Sequence, residues 1–324
     1  MAKLSREEEA ARRAFLAAQR QNLRARAGLL ASTDLAVRKR LQDAAVAIAG
    51  LLAQQPADWR VWQLGAIQPQ VQQLIDALTG DLQASADEAL DAAWTNGVAA
   101  VDAPLASAGI HVGWQLPMLD TSVLTALKTF TAGRILDLSS QALGRIDRAI
   151  GLTVLGATTP NEAVQSVQAE LGQKDSASLK RARRIVHTSL GEAYALAEQQ
   201  RLVQSAERIP DLQKQWLRSG KIFSRWNHDA ADGQVVPVAK PFVLPAHRGT
   251  GTVTMMHPHD PTAPAGEIIN CGCTHRAWLA RFGLPPGGTP FSDREIERNP
   301  LKKLAKAWLE GKAKKPAKAG KAQS

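Results

Sequence analysis

Through the first two hundred residues, apolar side chains recur at intervals of three and four, the spacing that lines one face of an α-helix. The pattern predicts a first helix from a capping box at Ser5 and Glu8 to about Leu30, and a second from Thr33 or Asp34 to about Gln54. Three consecutive carboxylates, Glu7 to Glu9, suit the positive end of that first helix. Further helices are predicted over 58–66, 69–107, 120–132, 134–155, 160–172 and 180–204, the long one interrupted at Gly80 and near Gly97. Pro160 is tolerated in the first turn of its helix, after the turn-prone run Gly156-Ala-Thr-Thr.

Past Pro210 the helical period stops. Val235-Val-Pro-Val, Phe242-Val-Leu and Thr252-Val-Thr-Met-Met are short β-type runs, punctuated by Asp232-Gly233 and Gly249-Thr-Gly251. Six of the fifteen aromatic residues fall between Trp216 and Phe282, which gives this stretch anchors for a core of its own. A Pro/Gly run at Leu284-Pro-Pro-Gly-Gly then leads to a short helix and a lysine-rich end. The expected fold is mainly α, with a helical N-terminal region over 1–115 and a helical domain over 116–205. A small α+β module over 206–283 follows, and residues 284–324 form a linker and basic tail.

Charge adds a candidate partner. Forty Lys and Arg against thirty Asp and Glu give a net +10, and the excess sits at the ends. Residues 301–324 carry +7 and residues 1–26 carry +4, which leaves the body close to neutral. Basic ends on a neutral body point to a polyanion. Double-stranded DNA is the partner expected for Lys302, Lys303, Lys306, Lys312, Lys314, Lys315, Lys318 and Lys321. A solvated tail that only aids solubility is the alternative. No run approaches the roughly 20 apolar residues of a membrane span, so no membrane partner is expected. The acidic start lacks the apolar run of a signal peptide, so the chain is expected to stay in the compartment where it is made.

Cys271 and Cys273 are the only cysteines, which excludes a disulfide framework, and a bridge between residues two apart would be strained. In a strand the two would share a face. Five of the seven histidines lie between His228 and His275, so imidazole is at hand to join two thiolates on Zn²⁺. Candidate imidazole ligands are His228, His257, His259 and His275, with Cys271, Cys273 and His228 the preferred set. The competing reading is a metal-free thiol pair packed in the core near Trp226 and Phe242. No other cofactor is expected. Asn227-His228-Asp229 with His257 and His259-Asp260 could instead furnish a metal-dependent nuclease or toxin-like effector. The chain has no Gly-rich phosphate loop, no Gly-x-Ser-x-Gly elbow and no His-Glu-x-x-His helix. No catalytic residue is therefore assigned, and an enzyme is not expected.

One run of motifs goes further. Lys214-Gln-Trp216, Arg225-x-x-His228, Ala231-Asp232-Gly233-Gln234 and Pro241-Phe242 occur in that order. His257-Pro-His-Asp260-Pro261, Ala263-Pro264-Ala265 and Glu267-Ile-Ile-Asn270-Cys271-Gly-Cys273 follow. This stretch resembles the C-terminal module of the phage Mu F-like head morphogenesis (minor head) proteins, over about 60 residues closely and over 120–275 more loosely. Gly272 stands where that family usually has arginine, and His187-Thr188-Ser189 stands where it often has Arg-Thr-Glu. The resemblance implies a structural component of a tailed-phage head, found in the virion and, during assembly, in the host cytoplasm. Its implied partners are the portal protein and other procapsid components, with a role in assembly or DNA ejection. A non-specific DNA-binding protein outside any phage is the remaining alternative.

Overall fold

The computed structural model describes residues 4–311 apart from 56–58, 60, 112–115, 248–249, 284, 287 and 289. Five helices come first: α1 (Arg6–Ala53), α2 (Val61–Ser107), α3 (Ser122–Val154), α4 (Pro160–Val167, continued by a π turn over Gln168–Gly172) and α5 (Ala177–Ala206). The remainder mixes short elements: β1 (Leu212–Leu217), α6 (Trp226–Ala230), β2 (Val235–Pro237), β3 (Phe242–Pro245) and β4 (Thr252–Met255). Then come α7 (Ala265–Ile268), β5 (Thr274–Leu279), α8 (Asp293–Arg298) and α9 (Lys302–Leu309). The expected fold class holds: a mainly helical chain with a small C-terminal α+β module. Among the described residues, no helix is long and apolar enough to cross a membrane.

The helices are fewer and longer than the pattern predicts. Residues 30–34 were expected to break the first helix, yet α1 runs through them. The hydroxyls of Ser32 and Thr33 bond back to the Leu29 carbonyl at 3.0 and 2.7 Å, so these cap-type residues are consumed inside the helix. Gly133 likewise lies inside α3, and Pro69 and Gly80 lie inside α2. The capping box at Ser5 and Glu8 is formed, with bonds of 2.8 and 3.1 Å. Thr159 and Glu162 make another around Pro160.

The described chain divides into two compact units, each built from non-consecutive segments. One comprises 26–93 and 120–190, and its described elements are all helices. Its core is a ladder of apolar side chains at three- and four-residue steps. Val37, Leu41, Ala45, Ile48 and Leu52 come from α1, and Ile67, Val71, Ile75, Leu78 and Leu82 from α2. Leu127, Ile135, Leu138, Ala142, Ile146 and Ile150 of α3 belong to the same unit. Polar clasps join its helices: Arg183 to Asp34 at 2.5 Å, Arg145 to Glu170 at 2.8 Å, and Thr131 to Ser189 at 2.8 Å.

The other unit comprises 1–25, 94–119 and 191–324, and holds the α+β module. A three-stranded antiparallel sheet of order β2-β1-β5 pairs Trp216 with His275 and Gln215 with both Val235 and Arg276. β3 and β4 form a separate hairpin. Phe15 of α1 meets Trp278 and Phe282 edge-on at 6.2 and 5.5 Å, in a core shared with Val101, Leu105 and Leu202. A second core gathers Trp216, Phe242, Leu244, Met255, Ile268 and both cysteines.

Gly97 is not a break in α2. A Cβ there would lie 2.4 Å from the Tyr194 carbonyl oxygen and 2.8 Å from the Ala197 Cβ, so the glycine permits two helices to touch. Gly80 faces open space. Gly97→Ala is therefore expected to destabilise by about 1–3 kcal/mol through overpacking. Gly80→Ala should stabilise by about 0.5–1 kcal/mol through helix propensity. Urea denaturation of the two variants checks the contrast, and equal shifts would refute it.

Candidate functional site

The site is built where three short elements of the α+β module converge. α6 buries Asn227, His228 and Asp229 together. α7 contributes Glu267, and the turn after it contributes the two cysteines. That turn is not the strand expected for Cys271 and Cys273: β5 begins only at Thr274. Asn270 takes a left-handed φ of 57°, a conformation that asparagine tolerates better than most residues. Its reversal brings both thiols to one place without strand alternation.

The distances are short and convergent. Cys271 Sγ lies 3.4 Å and Cys273 Sγ 3.7 Å from the same atom, His228 Nδ1. The Cys273 backbone N–H donates to Cys271 Sγ at 3.4 Å. On the far side of the ring, His228 Nε2 meets Glu267 Oε2 at 2.7 Å, and Asn227 Nδ2 donates to that same oxygen at 3.1 Å. The Trp216 ring packs edge-on against the imidazole at 5.5 Å and against Phe242 at 5.3 Å. Trp216 thus takes the place expected for Trp226, whose indole N–H donates instead to the His247 carbonyl at 3.3 Å.

Burial and charge act against each other at His228. Burial pulls its pKa down, but the bonds to Cys271 and Glu267 outweigh it and hold the imidazole up at about 9. Glu267 is held below the usual carboxylate range: burial opposes this, and the bonds from His228 and Asn227 prevail. Cys271 is pushed well down by the bond from Cys273 and by nearby imidazoles, and Cys273 is pushed well up by the same bond and by burial.

A cavity of about 170 Å³ opens beside the thiols, walled by Ser219, Lys221, Ser224, Arg225, His228 and Cys271 among others. Gly272 sits at its edge for lack of room. A Cβ there would come within 2.8 Å of the Ser219 Cβ and 2.9 Å of the Lys221 Cε. Lys221 also donates to the Asn270 carbonyl at 3.3 Å, which pins the turn from outside.

Among the described residues, the remaining candidates of the nuclease reading do not join the His228–Cys271–Cys273 group. His257 stacks on His275 with centroids 5.9 Å apart, and His275 Nδ1 lies 3.4 Å from Glu198. Burial pushes His257 below the ordinary imidazole range. Asp260 is spent on its own turn, accepting from Met256 N at 2.6 Å and from Thr262 N and Oγ1 at 2.9 and 2.7 Å. His259, at φ 64°, presses its ring on Gly191, where a Cβ would lie 2.4 Å from Cε1. Among the described residues, His228, Cys271 and Cys273 alone form a group of metal-ligand type.

Of the lysines assigned to DNA, Lys303 and Lys306 are exposed on α9. Lys302 is not. It is fully buried, 2.9 Å from Asp229 Oδ2 and 2.8 Å from Ser224 Oγ, so it is withdrawn from the DNA-facing set. Burial makes it a structural cation, and periodicity in a lysine-rich run could not reveal that. Lys312, Lys314, Lys315, Lys318 and Lys321 lie outside the described residues.

Fold and site together define a mainly helical protein whose small α+β module encloses a thiol–imidazole–carboxylate constellation. Compared with family models, curated proteins and solved structures, the chain matches none.

Proposed function

We propose that the chain is a minor head (head morphogenesis) protein of a tailed phage. In this reading it is a structural component of procapsid and virion, made in the host cytoplasm, that associates with the portal and contacts packaged DNA through its basic C-terminal end. One observation carries the reading beyond the motif order itself: the polar residues of that motif are spent on holding the module together. Lys214 donates to the Met256 carbonyl at 2.6 Å, and Asp232 accepts from the Arg218 backbone at 2.9 Å. Asp260 closes its turn, accepting from Met256 N at 2.6 Å. Side chains consumed in this way suit an assembly component better than a hydrolase, which must leave groups facing a substrate.

The test is compositional. Virions and procapsids made from the genome that encodes the chain should contain it, and it should cross-link to the portal. Particles that assemble and infect normally without it, and never contain it, would overturn the reading.

The DNA contact has a separate measure. Removing residues 312–324 deletes five of the eight lysines of the basic end. With about 0.9 of salt slope per phosphate contact, the slope of log affinity for duplex DNA should flatten by about 4.5. An unchanged slope would make the tail a solubility appendage.

A further inference from the structure

We infer that His228, Cys271 and Cys273 bind one Zn²⁺ ion, with the fourth coordination position open to the adjacent cavity and filled by water. The inference is independent of the phage-head reading. It rests on where three donor atoms point.

Two sulfurs share one imidazole nitrogen, at 3.4 and 3.7 Å. A ring nitrogen has a single lone pair or a single proton, so it can serve one thiol well but not two. A cation among the three serves all of them. Zinc bonds of about 2.3 Å to sulfur and 2.0–2.1 Å to nitrogen, at a tetrahedral angle, place sulfur and nitrogen about 3.6 Å apart. The two observed separations straddle that value.

The surroundings are those of a metal-bound histidine. The ring nitrogen away from the sulfurs meets Glu267 at 2.7 Å, and Asn227 holds that carboxylate from a second direction. A ligating histidine characteristically donates its other N–H to a carboxylate, which fixes the tautomer and raises its donor strength. The Cys273 N–H aimed at Cys271 Sγ is a donor to a thiolate. Two thiolates and a neutral imidazole also match the charge of the dication, in a site where both cysteines are under a tenth exposed.

A cysteine nucleophile activated by His228 is the competing chemistry for the same atoms. It needs one thiolate open to substrate, and both cysteines are under a tenth exposed. Among the described residues no further His, Cys, Asp or Glu joins the group, so the fourth position faces the cavity walled by Lys221 and Arg225. Three protein ligands with one open position is a known zinc arrangement.

The experiment uses the full chain, purified under reducing conditions with zinc supplied. Elemental analysis should find about one zinc per chain. Replacement by Co²⁺ should give a thiolate-to-cobalt charge-transfer band and the intense visible bands of tetrahedral cobalt. Cys271→Ser, Cys273→Ser and His228→Ala should each lose the metal. Because those variants can also unfold, Glu267→Gln is the discriminating one: it should stay folded by circular dichroism and bind zinc about 10–100-fold more weakly. Overturning results are a folded chain that, supplied with zinc, carries no metal while both thiols alkylate, or zinc retained by a folded Cys271→Ser/Cys273→Ser double variant. A single fast-alkylating thiol in the metal-free chain, slowed by His228→Ala and indifferent to zinc, would assign the site to the nucleophile instead.

Discussion

Lys302→Ala is expected to cost about 3–5 kcal/mol of stability, the loss typical of breaking a buried ion pair from one side. The ammonium is fully buried and lies 2.9 Å from Asp229 Oδ2 and 3.4 Å from Glu295 Oε1. Ser224 Oγ bonds to both partners, to Asp229 at 2.6 Å and to Lys302 at 2.8 Å. Alanine would leave Asp229, itself 0% exposed, without the ammonium it pairs with. The neighbours in sequence behave differently. Lys303 and Lys306 are exposed, so alanine there should change stability by no more than about 0.5 kcal/mol. Urea denaturation of the three variants separates the roles, and titration of duplex DNA against salt should respond to Lys303 and Lys306 only. Pairing Lys302→Met with Asp229→Leu should recover much of the loss, since an apolar pair of similar volume replaces the ion pair. A Lys302→Ala variant within 1 kcal/mol of the parent would show that the pair contributes little to the fold.

How much of this was legible in the sequence depends on whether the signal is local. Capping at Ser5 and the β-type runs that became β2, β3 and β4 are local, and they were readable. The breaks expected at Thr33, Gly80, Gly97 and Gly133 were not breaks, for a common reason: a residue that permits an interruption does not require one. Thr33 turned its hydroxyl back onto Leu29, and Gly97 accommodates the Tyr194 backbone. Both facts depend on partners that the local pattern does not name.

The site divides in the same way. That two cysteines two residues apart face one place was readable, although the cause is a left-handed Asn270 and not a strand. His228 could be nominated because histidines are scarce, but choosing it over His257, His259 and His275 needed coordinates. Glu267 sits in the Glu267-Ile-Ile-Asn270 motif with no local signal for its partner. It stands 39 residues from the imidazole it touches, and α6 and α7 meet only in three dimensions. Lys302 was misplaced because composition counts charges without asking which are solvated.

Arg218 belongs to the same buried network, sharing Glu295 with Lys302, and its removal should be as costly. The guanidinium forks onto Glu295 at 2.7 and 3.3 Å, approaches Asp232 at 3.6 Å, and lies 4.5 Å from the Phe291 ring centroid. Its side chain and that of Asp232 are each 1% exposed. Arg218→Ala is expected to lose about 3–5 kcal/mol, because it strands Asp232 inside and releases α8 from its anchor. Arg218→Lys should lose less but not recover, since an ammonium cannot make the two parallel bonds of the fork. The pair also sets an acid limb. Glu295 is ordinarily protonated near 4.5, and the fork from Arg218, against the opposing effect of burial, lowers it to about 2. A carboxylate with a depressed folded pKa contributes its full stabilisation above the unfolded value, and loses it as pH falls toward the folded one. Stability should therefore decline between about pH 4.5 and pH 2, and Glu295→Gln should flatten that decline while lowering stability at neutral pH. Urea midpoints measured across that range for the parent and for Glu295→Gln decide the matter: two parallel acid limbs would mean that the fork is not what the acid breaks.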